Sequence, residues 1–192
     1  MTHKQPKTLH DTVREGVVDS VKVAGHVFNG VLDALDQTLP EALRHADDAY
    51  MPLSEMIYAV TEAVAEGVSG VGGNLEEAAQ ALMIGVLRAG AETHTTMLYA
   101  LRMSAGVFIQ KTARLSGDVG AVAKALVAGA VEGAKETGLN LEEIARETAE
   151  GAAEAAGEST EAGQKVREAL AGNILDVETG IRRSLKTKRS RL

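Results

Sequence analysis

The same helix-turn text occurs twice in this chain of 192 residues, and its recurrence limits the fold more than any other feature. Asn74 is followed by Leu75, Glu76 and Glu77, and Asn140, 66 residues further on, by Leu141, Glu142 and Glu143. In each copy the Asn can accept from the first free amides of a helix, while Glu at the third helical position can reach back toward the cap. Gly72 and Gly138 stand just upstream, where the preceding helix must end and a left-handed residue is useful. Each text predicts a tight helical hairpin.

The register extends beyond the turn. At the same offset Ala59, Glu66, Gly67, Gly85, Ala89 and Glu92 coincide with Ala125, Glu132, Gly133, Gly151, Ala155 and Glu158, and Ala105 and Gly106 with Ala171 and Gly172. Chance supplies only about three or four identities in such a window, so a duplicated three-helix unit is expected. Ala24, Gly25, Val27 and Phe28 read as a further copy of that unit's last helix.

The expected fold is all-α: a helical bundle built from the duplicated three-helix unit, with an additional N-terminal amphipathic helix. Aromatics make up 3% of the chain and Trp is absent, whereas sheets favour aromatic and β-branched residues. The expected segments are a polar tail over 1–8, an amphipathic helix and a short helix over 9–53, the two units over 54–118 and 119–185, and a basic tail over 186–192. Within 9–53 one helix is expected from about Thr8 to Thr38 and a short one after Pro40. Val13, Val17, Val21, Ala24, Phe28, Val31 and Leu35 form its stripe, and Val166, Leu170, Ile174, Val177, Ile181 and Leu185 form another near the C-terminus.

Small residues line one edge of several helices. Gly67, Gly85, Gly129, Gly133 and Gly151 are expected to be helix-packing positions, because an interior Gly costs about 0.8–1 kcal/mol against Ala and must be offset by contacts. The spacing is one that membrane helix pairs use, but Glu62, Glu66 and Glu132 argue against hydrocarbon. No stretch is apolar for long enough to span a bilayer, and nothing near the N-terminus reads as a secretory signal, so a cytoplasmic protein that is not transmembrane is expected.

Charge is unevenly spread. Six of the 20 basic residues, Arg182, Arg183, Lys186, Lys188, Arg189 and Arg191, follow Glu178, and none of the 27 acidic ones does. The acidic remainder would repel phosphate, so any contact with an anionic membrane or nucleic acid falls to these six and would be independent of sequence. A solvated end that complements a helix dipole is the simpler account of them. Glu143, Glu147, Glu150, Glu154 and Glu158 descend one helical face, while 83–115 carries Arg88, Arg102, Lys111 and Arg114 against Glu92 alone. Pairing between the two within the chain would explain both. Otherwise the acidic run is a solvated face or a docking surface for a basic partner.

No catalytic motif is present. Without Cys there is no disulfide, thiol chemistry or Cys-bound zinc, and the chain has no nucleophile elbow, phosphate-binding loop or His-Glu-x-x-His. Glu41, His45 and Asp48 share a helix face and could meet a divalent metal, although a solvated face is the simpler reading. His26 and His94 lie beside apolar residues and read as packed histidines rather than ligands. The function expected is therefore non-enzymatic and cofactor-free: a helical structural or adaptor protein that self-associates as a homo-oligomer and binds a protein partner. The alternative is peripheral binding of a membrane, granule or polyanion through the N-terminal helix and basic tail. A metal-binding bundle is third.

Overall fold

In the computed structural model, which describes residues 7–44, 52–93, 97–157 and 160–171, both Asn turns start a helix. Asn74 Oδ1 accepts from the amides of Glu76 and Glu77 at 2.7 and 3.1 Å, and Asn140 Oδ1 from those of Glu142 and Glu143 at 3.1 and 3.4 Å. Gly72 and Gly138 take left-handed φ values of 66° and 73° just before them. The helices are α1 (Leu9–Ala24), α2 (Val27–Arg44), α3 (Leu53–Gly70), α4 (Leu75–Thr93), α5 (Leu98–Arg114), α6 (Val119–Thr137) and α7 (Leu141–Ala156). An eighth, α8, spans 161–171, and no strand occurs among the described residues.

The bundle is a two-row array. α1, α3, α5 and α7 pack side by side in chain order, as do α2, α4 and α6, with α8 laid on α6 at Gly120. One cluster of buried side chains, running from Val13 to Leu170, joins the rows. Because the rows alternate, a step of 66 residues carries a position from one row into the other: α3 lies in the first row and α6 in the second. α4 sits at the centre, where every residue from Ala81 to Gly90 is buried except the half-exposed Arg88. A helix apolar on all sides has only this place to go.

The N-terminal region differs from expectation. A single helix from Thr8 to Thr38 is replaced by two, because Gly25 ends α1 at a left-handed φ of 69° with its amide bonded to Val21 O. The chain folds back tightly, and a methyl group at Gly30 would lie 2.6 Å from Val21 N. The stripe keeps its phase across the break because both helices turn it inward: Val13, Val17, Val31 and Leu35 are wholly buried. Gly25 therefore does not match Gly106, which lies inside α5, and the further copy read there is not supported. Nor does a separate helix follow Pro40, since α2 continues through it to Arg44. Proline leaves the carbonyl four residues earlier without a donor, and Asp36 is exposed, where water can serve it.

The glycines of the small edges face the preceding helix of their own row. A methyl group at Gly67 would lie 3.1 Å from Val17 Cγ1 of α1, at Gly85 2.8 Å from Leu35 Cδ1 of α2, and at Gly133 3.1 Å from Ile84 Cα of α4. At two further positions every near atom is main chain. Gly129 would meet Gln80 Cα at 2.8 Å, and Gly151 would meet Arg102 Cα at 2.8 Å. Gly129→Ala and Gly151→Ala should thus each destabilise by about 1–3 kcal/mol through overpacking, despite a helix-propensity gain of about 1 kcal/mol. Gly70→Ala, at an exposed position with open space around it, should cost nothing. Urea midpoints of the three variants check this, and unchanged midpoints for Gly129 and Gly151 would contradict it.

α3 and α5 end in the same motif with different residues. Gly73 N donates to Val68 O and Gly72 N to Ser69 O, while Gly117 N donates to Thr112 O and Ser116 N to Ala113 O. The left-handed position is glycine in the first case and Ser116, at φ 58°, in the second. Non-glycine residues are strained there by about 1–2 kcal/mol. Ser116→Gly should raise stability by about 1 kcal/mol, and a lowered urea midpoint would show that the exposed hydroxymethyl group contributes more than its strain.

Candidate interaction face

Within each row, neighbouring helices are tied by ion pairs on the outer surface. Arg88 of α4 reaches Glu136 of α6 at 2.7 Å and Asp36 of α2 at 3.3 Å, and Arg44 of α2 pairs with Glu92 of α4. In the other row His10 Nε2 of α1 lies 3.3 Å from Glu66 of α3, and Lys111 of α5 pairs with both Glu62 and Glu66 of α3. Arg102 of α5 is met by three carboxylates of α7: Glu150 at 2.6 Å, Glu147 at 3.2 Å and Glu154 through both Nε and Nη2. These bonds, with Glu154 foremost, hold the guanidinium well above its ordinary pKa. Three of the five glutamates of the acidic run thus converge on one cation from the basic stretch.

Those contacts orient α5. Ser104 and Lys111 turn toward α3, Ser104 lying 3.3 Å from Thr61, and Arg102 turns toward α7. Between them, at helical spacing, Tyr99, Met103, Gly106 and Gln110 form the outward strip. Tyr99 is 57% exposed, a high value for an aromatic side chain, and Tyr58 on α3 is 39% exposed. A trough of about 420 Å³ runs along the strip, lined by Tyr99, Met103, Gly106, Gln110, Glu154 and Ala155 among others. Its floor is low because α5 and α7 touch through small residues: a methyl group at Gly106 would lie 3.3 Å from Ala155 Cβ.

The second row carries a broader hollow of about 970 Å³ whose lining mixes Lys124 and Lys165 with Glu76, Asp118 and Glu168. The α6 N-terminus there is already capped, since Asp118 Oδ1 accepts from the amides of Gly120 and Ala121. The amides of Gly120 and Ala121 are thus already taken.

The residues singled out from sequence fare unevenly. Arg182, Arg183, Lys186, Lys188, Arg189 and Arg191 lie outside the described residues, as do His45, Asp48 and His94. Glu41 is exposed on α2. His26 is exposed at the α1–α2 turn rather than packed, because Gly25 ends the helix just before it. Among the described residues, no group of three or more His, Asp or Glu could hold a metal ion, and no helix is long and apolar enough to cross a membrane. The strip on α5 escaped sequence reading, although Tyr99, Met103, Gly106 and Gln110 do recur in steps of three and four. Comparison with protein-family models and with curated proteins finds no match to this chain.

Lys111 supplies a pH test. Hydrogen bonding to Glu62, joined by Glu66, raises its pKa above the ordinary 10.5 against the opposing effect of partial burial. A raised lysine contributes stability that is complete below the unfolded value and lost as pH climbs through the folded one. Lys111→Met, which leaves Glu62 and Glu66 without that cation, should be less stable than wild type at neutral pH. The gap should narrow as pH passes 10.5. Urea midpoints on both sides of that pH measure it, and a constant gap would remove the charge from the account.

Proposed function

We propose that this chain is a non-enzymatic helical adaptor that holds a protein partner on the outer face of α3, α5 and α7. The observation that carries the reading is Tyr99, 57% exposed beside Met103 over a trough floored by Gly106 and Ala155. Aromatic and Met side chains are enriched at interfaces relative to the rest of a protein's surface. A chain with 3% aromatics has few to spare for solvent.

Other readings have less to work with. Peripheral binding through the N-terminal helix would need the stripe from Val13 to Leu35, which is turned into the core, so that reading rests on the basic tail alone. Self-association through the same stripe loses its surface for the same reason. What remains of the second stripe, Ile174, Val177, Ile181 and Leu185, lies outside the described residues, while its members Val166 and Leu170 are buried within this chain.

A photo-crosslinking residue placed at Tyr99 of the full chain, in the cells that make it, tests the proposal against the same residue at Lys124 on the other row. The expected result is a protein adduct of one defined mass from position 99 and none from 124. Adducts of equal yield from both positions, or nucleic acid or lipid adducts in place of protein, would overturn it.

A further inference from the structure

The chemistry on either side of the strip narrows the partner. We infer that the face receives a cationic amphipathic helix from another protein, with its apolar stripe on α5 and basic side chains over α3 and α7. The inference rests on the adaptor reading above and goes beyond it by fixing the partner's charge and backbone form.

Charge comes first. On the α7 side Glu147, Glu150 and Glu154 are met by two guanidiniums, Arg102 and, at Glu147, Arg146, and on the α3 side Glu62 and Glu66 are met by the Lys111 ammonium, with the His10 ring beside Glu66. Each flank therefore still carries more carboxylates than formal cations, and Arg102, Arg146 and Lys111 are all bonded; Arg114, exposed one turn beyond Gln110, places a positive charge only at the far end of the strip. An acidic helix, a nucleic acid or an anionic lipid surface would meet like charge on both sides. A helix with Lys or Arg flanking an apolar stripe would meet opposite charge on both.

Backbone form follows from the fold. A face built of helices presents side chains only, because their amides and carbonyls are used within the helices, so an extended peptide finds no ladder to join. A helix satisfies its own backbone and needs side-chain contacts alone. The strip from Tyr99 to Gln110 is about 16 Å long at 1.5 Å per residue, or about three turns, which suits apolar anchors at i, i+3 or i+4, and i+7. Gly106 and Ala155 leave depth for those anchors between Tyr99 and Gln110.

The chain contains text of this kind itself, Ile174, Val177, Ile181 and Leu185 together with the six basic residues, outside the described residues. The test must therefore separate the chain's own segment from a partner's. The probe is a fluorescent amphipathic peptide of about 18 residues, long enough to cover the strip, with a Leu stripe flanked by Lys. Comparators carry Glu for Lys, or the same composition shuffled to destroy the stripe. Anisotropy with the full chain should show the Lys helix binding at least about tenfold tighter than either comparator, and weakening as salt rises. Tyr99→Ala with Met103→Ala, and separately Glu150→Gln with Glu154→Gln, should each weaken it by about tenfold or less while leaving the helical circular dichroism and melting unchanged. Lys124→Ala should change nothing.

Equal affinity for the Glu peptide, or wild-type affinity in both double variants, would overturn the inference. So would a wild type that ignores the probe while a chain with the six basic residues changed to Gln binds it, since the occupant would then be the chain's own segment. Failure of the probe alongside a position-99 protein adduct would leave the adaptor face standing and remove only its cationic helix.

Discussion

The contact on which the rest of this fold depends is main chain against main chain. Gly129 lets α6 lie on the backbone of α4 at Gln80, and Gly151 lets α7 lie on the backbone of α5 at Arg102. Interiors of Ala and Gly bury little apolar area per residue, so their cohesion must come from many short dispersion contacts, which fall away steeply with even a small gap. The packed helices therefore have little freedom to drift apart, and the glycines that weaken each helix alone are the ones that let it find its neighbour. The centre of the array shows the result, with α4 buried from Ala78 to Gly90 apart from Gln80 and Arg88.

Close approach fixes distance but not register, since a ladder of small residues can slide by one turn at modest cost. Ion pairs join the same helices at the surface. Arg88 ties α4 to helices on both sides, Lys111 ties α5 to α3, and Arg102 ties α5 to α7. The exposed pairs, those of Arg88 and of Arg102 with Glu150 and Glu154, contribute about 0–1 kcal/mol each, so they are poor sources of stability. A one-turn slip would carry Arg102 only to the next glutamates of α7, which recur at every turn, so these pairs hold neighbouring helices together without choosing between registers.

The turns were legible because capping is local: an Asn followed by Glu two and three residues later needs no knowledge of the rest of the chain, and both sites carry the expected amide bonds. The break at Gly25 was not legible, because the stripe runs in phase across it and a lone glycine inside a helical pattern has no unique reading. The run through Pro40 was hidden for the opposite reason, since its tolerance depends on the exposure of Asp36, a tertiary fact. At the candidate face the acidic run could be read, and so could its basic counterpart. That three of its glutamates share one arginine, and that the strip beside them faces outward, depends on which sides of α5 are taken by α3 and α7.

The two rows make a final contrast. Advancing 66 residues from Glu55, Tyr58, Glu62, Tyr99 and Met103 gives Ala121, Lys124, Ala128, Lys165 and Ala169, all of which line the hollow of the second row. Where one row fills the seam between alternate helices with aromatic, sulfur and carboxylate side chains, the other leaves it open with alanine and lysine. Glycine at 67, 85, 133 and 151, which serves packing, is the same at both members of each 66-residue pair, whereas these outer positions are not. Packing constrains the inward positions of both rows alike, because each must admit a neighbouring helix. The outer positions escape that constraint, and with tyrosine and methionine on one face and lysine and alanine on the other the two faces differ in chemistry while the helix contacts beneath them are alike.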